Sequence, residues 1–105
     1  MIIIQDLSEQ IEDELEDACK YIDKALHLAE KDKVTADLYA QLSAEEMGHA
    51  EKLHNRVAAV IEQYRKENGQ PSPEMQWRYN YLHNKHIDKA ARIKVKQALY
   101  KEGTK

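Results

Sequence analysis

The chain has 105 residues, 33% of them charged, with three Gly, two Pro, no Phe and a formal net charge of −3. That length allows one domain with at most a two-layer helical core, so a partner chain would add to what it can bury. No stretch approaches the roughly 20 apolar residues of a membrane span, and Met1-Ile2-Ile3-Ile4 gives way at once to Gln5 and Asp6, far short of a signal peptide.

Cys19 is the sole cysteine, which rules out an internal disulfide. With no export signal in view, the expected compartment is the reducing cytoplasm and the expected role of Cys19 is packing. Charge is unevenly spread. Residues 1–77 hold eight Lys/Arg against seventeen Asp/Glu, whereas residues 78–105 hold eight basic residues against Asp88 and Glu102. The plain consequence is a basic last helix lying on an acidic hairpin. The sharper alternative is a nucleic-acid face in which Trp77, Tyr79, Tyr81 and Tyr100 alternate with Arg78, Lys85, Lys89, Arg92, Lys94 and Lys96. No nucleic-acid-binding motif accompanies that charge, so nucleic acid is the less favoured partner.

Three helices are expected, in an all-α fold. Asp6-Leu7-Ser8-Glu9 offers a capping box, and Ile11, Glu14 or Leu15, Ala18, Ile22, Ala25 and Ala29 continue as an apolar stripe, giving a helix over about 8–30. Asp32 can cap a second helix over about 33–68, which Asn68-Gly69 ends. Gln70-Pro71-Ser72-Pro73 is the strongest break, with Ser72 as cap and Pro73 opening a third helix over about 73–101. The first two helices, joined by a short turn, form an antiparallel hairpin. The third is apolar nearly all round, with Ile87, Ile93, Val95, Leu99 and Tyr100, as suits a helix touching more than one neighbour.

The second helix carries a stripe of Leu38, Leu42, Glu46, His49, Leu53, Val57, Val60 and Tyr64 at steps of three and four. Glu46 and His49 therefore stand where leucines belong. A carboxylate and an imidazole buried side by side are costly unless paired, hydrogen-bonded or bound to a metal. With the turn near residue 31, Glu14 falls opposite residue 48, level with both. Glu14 also faces inward, whereas Glu12, Asp13, Glu16 and Asp17 fall toward the polar side. Glu51 and His54 repeat the E-x-x-H spacing but are expected on the solvated face, where they serve as a control. Gly48, beside the site, hints at a close helix approach. Carboxylates and a neutral imidazole one turn apart suit iron, manganese or zinc. A purely structural hydrogen-bonded pair that sets dimer register is the alternative.

One chain offers two carboxylates and one imidazole, half of the set in which two helices each give a Glu and two others each give Glu-x-x-His. On Glu14, Glu46 and His49, between Asp6 and about Tyr64, the sequence resembles the ferritin-like superfamily and is most similar to half-length members of the encapsulated-ferritin type. The tail, Tyr100-Lys101-Glu102-Gly103-Thr104-Lys105, departs from that type in lacking an apolar cargo-targeting segment. The resemblance implies a four-helix bundle formed on homodimerisation, or within a larger homo-oligomer, and an inter-subunit di-iron site. It also implies Glu14 as the ligand shared between metals, Glu46 and His49 as terminal ligands, and oxidation of Fe(II) by dioxygen. A helical adaptor without catalysis, for instance in a phage-related assembly, is the competing expectation.

His83 shares a face with Asn80, Ile87, Ala90 and Ala91 and would be a further metal ligand if the third helix crossed the site; a core histidine bonded to a carboxylate is the plainer reading. His86 and His27 are expected at the surface. Tyr21 and Tyr39, near the site level, are expected to pack at the helix interface. Nucleophilic catalysis has no support, because Ser8, Ser43 and Ser72 lack a base and no Gly-rich phosphate loop is present.

Overall fold

In a computed structural model the chain forms three helices, α1 (Ile2–Leu28), α2 (Lys33–Asn68) and α3 (Pro73–Gly103). The structure describes residues 2–103; Met1 and the tail residues Thr104 and Lys105 lie outside them. The molecule measures 55 × 18 × 17 Å. Its long dimension is set by α2, since 36 residues at about 1.5 Å each span roughly 54 Å. No described helix is long and apolar enough to cross a membrane.

Local chemistry accounts for the helix ends. Asp32 accepts from the backbone N–H of Thr35 at 3.1 Å and from its hydroxyl at 2.6 Å, which starts α2. Gly69, at φ +79° and ψ −162°, takes a positive-φ conformation that favours glycine and ends α2, its N–H bonding the carbonyl of Arg65 at 2.9 Å. Ser72 Oγ accepts from Met75 N at 3.2 Å and opens α3. The start of α1 differs from the expected one near residue 8. Asp6 and Glu9 lie inside a continuous helix rather than forming a capping box at its start, because Ile4 and Leu7 pack on the core and draw the helix forward to Ile2.

The α1 stripe is buried as Ser8, Ile11, Leu15, Ala18, Ile22 and Ala25. On α2 the buried residues are Ala36, Ser43, Ala50 and Val57, spaced by sevens, and of the expected stripe only Val57 is among them. Leu38 is 52% exposed, and Leu42, Glu46, Leu53, Val60 and Tyr64 are half-buried. The reason is close packing of small residues. With Ala18 facing Ser43, the backbones come near enough for Ser43 Oγ to donate to Ala18 O at 2.7 Å, so the leucines are left flanking the seam.

α3 runs parallel to α1 and packs chiefly against it. Ile93 enters a core with Ile11, Leu15, Ala18, Ala50 and Val57, while Tyr100 closes a second cluster with Ile22, Ala25 and Ala36. Charge follows the intramolecular arrangement. Lys89 pairs with Glu12 at 2.8 Å and Glu16 at 3.8 Å, and Lys96 with Asp23 at 2.8 Å. Arg78 and Arg92 pair within α3 with Glu74 and Asp88. These pairings spend basic residues of α3 on the protein's own acids.

Candidate metal centre

Glu14 on α1 meets Glu46 and His49 on α2 at the edge of the small-residue seam. His49 Nδ1 lies 3.4 Å from Glu14 Oε2 and 3.4 Å from Glu46 Oε1. One ligand atom from each residue falls within 4.8 Å of the others, the one such convergent group of three or more among the described residues. The three sit on a gradient of exposure: the side chain of Glu14 is 15% exposed, that of Glu46 21% and that of His49 55%. The antiparallel hairpin is what makes this possible, since i, i+3 spacing on α2 stacks Glu46 and His49 on one face and the turn sets Glu14 at their height.

Gln10, one turn before Glu14, donates from Nε2 to Glu14 Oε1 at 2.7 Å. That bond fixes one oxygen and turns the other, Oε2, into the cluster, where it is buried without a hydrogen-bond partner. Gln10 was not among the residues singled out from the sequence, although an i, i+4 Gln–Glu pair is a recognisable signal.

With both carboxyls ionised Glu14 Oε2 has no donor, and a proton on Glu46 supplies one and keeps like charges apart. Glu46 is pushed up to about 7, first by its bond to Glu14, then by burial and by the neighbouring charge of Glu14. Glu14 is held below the usual carboxylate range, first by the same bond to Glu46, with Gln10 and His49 adding to it against the effect of burial. A cation entering the cluster would displace that proton and take its place beside Glu14 Oε2. Two carboxylates and an imidazole suit iron, manganese or zinc, and three ligands leave coordination positions open. The residues present therefore fit a metal.

His83 is not one of the convergent residues. Its ring lies against His54, with centroids 4.8 Å apart, and against Tyr79 at 5.7 Å. This also corrects the control pair. Glu51 is exposed as expected, but His54 is half-buried, because α3 covers that side of α2. His86 is buried at 6% exposure rather than lying on the surface, with Nε2 3.4 Å from Glu12 Oε2. Glu12 accordingly faces α3, so Glu14 is not the only inward acid of its stretch. Gly48 makes no close approach within the chain, since a Cβ there would meet nothing within 4 Å. Tyr21 and Tyr39 stack at 6.0 Å across the hairpin. Cys19 is half-buried, its Sγ 3.8 Å from Asp23 Oδ2 and 3.7 Å from Lys96 Nζ.

Comparison of the chain with protein-family models, with curated proteins and with solved structures finds no match.

Proposed function

We propose that this is a ferritin-like metal-binding protein whose hairpin pairs with a second copy to complete a di-iron carboxylate site, and that it oxidises Fe(II) with dioxygen. The observation that carries this reading is the convergence of Glu14, Glu46 and His49 with the orphaned Glu14 Oε2 turned among them. Two copies about a twofold axis would supply four carboxylates and two imidazoles, the full set for two metals. The surroundings support a second chain. Leu38 is 52% exposed and Val34 83% exposed, Leu42 and Leu53 are only half-buried, and nothing in the chain presses on Gly48.

Within the site, Glu14 and Glu46 would hold the cations as carboxylates, Gln10 would keep Glu14 oriented, and His49 would complete each sphere through an unprotonated ring nitrogen. Iron supplies the electrons that dioxygen takes up, while the chain binds, spaces and deprotonates. Manganese or zinc would occupy the same donors. Titration with Fe(II), Mn(II) and Zn(II) tests the reading. Binding is expected in the native protein and lost in Glu46→Ala and His49→Ala; no binding, or binding indifferent to those changes, overturns it.

A further inference from the structure

Apart from the metal cluster, the described residues hold a second group of titratable side chains, and it sits where α3 meets the hairpin. α3 buries only His86, Ile93 and Tyr100, and around its N-terminal half imidazoles join Tyr79, which packs on the first core cluster, and Gln76, which accepts from Arg65 at 3.2 Å, in making the contact. His83 stacks on His54 of α2 with the ring planes 25° apart, and its Nδ1 is buried with no hydrogen-bond partner. One turn further on, the His86 side chain, 8% exposed, reaches Glu12 of α1. Neutral imidazoles stack without penalty, whereas imidazolium ions at this spacing repel in a poorly solvated setting.

We propose that His54, stacked on His83, and His86 form an acid-sensitive clasp, and that protonation of His54 and His86 releases the N-terminal half of α3 from the α1–α2 hairpin.

The surrounding charges cannot absorb these two protons. From α1, Glu12 contacts His86 but is already bonded to Lys89, and that bond chiefly holds it below the usual carboxylate range. Glu16 is taken by the same lysine at 3.8 Å. From α2 the facing acid is Glu51, which is exposed. On α3, Lys85 and Lys89 add positive charge beside His86. Burial lowers His54, with His83 adding to the effect, and burial lowers His86 against the pull of Glu12. Docking therefore binds these protons less tightly than release does. Its stability is full above the ordinary imidazole range near 6.5 and falls as pH drops through it. Protons have a route, because a cavity of about 560 Å³ lined by Tyr64, Met75, Tyr79 and Lys85 opens onto His86 and Glu12. Release stops short of Ile93 and Tyr100, which stay in the two apolar clusters.

The test is amide hydrogen exchange on the full chain without added metal at about pH 7.5 and about pH 5.5, corrected for the intrinsic pH dependence of exchange. Protection over residues 75–90 is expected to drop at least about tenfold in acid while residues 11–25 keep theirs. The double variant His54→Gln, His83→Gln is expected to lose most of that pH dependence. Unchanged protection in the native chain, or an equal drop in the double variant, overturns the proposal. Should the double variant fail to fold, histidine Cε1–H titration of the native chain decides. Depressed His54 and His86 midpoints that coincide with the loss of α3 protection support the clasp, and independent midpoints near 6.5 for these two overturn it.

Discussion

Glu14 and Glu46, thirty-two positions apart in sequence, bring their carboxyls together on neighbouring helices, which pushes Glu46 up, and His49 Nδ1 closes on both at 3.4 Å. The pair would give up the Glu46 proton to any cation it bound. It also stores a cost of folding.

That cost has a definite pH dependence. Glu46 rises from its ordinary 4.5 to about 7, so the folded chain holds this proton more tightly than the unfolded one. Stability contributed by the protonated pair is present in acid and lost as pH rises through 7. Glu46→Gln keeps a donor for Glu14 without the charge. Without metal, it is expected to be more stable than the native chain by on the order of 1–2 kcal/mol at about pH 8 and nearly equal at about pH 5, as measured by urea denaturation.

Gln10 orients Glu14 without reaching the cluster itself. Gln10→Ala should weaken metal binding about tenfold. Gln63→Ala, which removes the same kind of bond to Glu67 far from the site, should leave it unchanged. Isothermal titration with Mn(II) measures both.

Much of this architecture was legible because it is local. Asp32, Gly69 and Ser72 end or start helices by bonds to their own neighbours, and the α1 stripe from Ile11 to Ala25 is apolar on one side only. Placing Glu14 level with Glu46 and His49 needed only the antiparallel turn. The seam of α2 was not legible, because apolarity favours the leucines whereas close packing selects Ala36, Ser43 and Ala50. Nor was the docking of α3, whose apolar residues surround the helix and name no single face. His54, His86 and Glu12 were therefore placed on the surface, although the contact with α3 covers them.

Ser43 joins all three helices. Its hydroxyl donates to Ala18 O on α1 and accepts from Gln97 Nε2 on α3 at 3.0 Å, with no exposed surface. Ser43→Ala removes both bonds, leaving Ala18 O with only its helix partner and the Gln97 amide without this acceptor, with an expected loss of about 1–3 kcal/mol. Ser43→Val should cost more by forcing bulk into the seam, and thermal unfolding ranks the two.

Ile93 is fully buried, whereas Val95 two residues on is 60% exposed. Ile93→Ala is expected to lose about 2–5 kcal/mol and Val95→Ala under about 0.5 kcal/mol. Urea unfolding followed by circular dichroism separates them.

The most direct measurement is elemental analysis of the purified protein together with its mass in solution, before and after Fe(II) is added in air. Iron is expected at one ion per chain in a species containing at least two chains, with Glu46→Ala and His49→Ala binding none. A chain that takes up no metal, or one whose mass and metal content are the same with and without those residues, would contradict it.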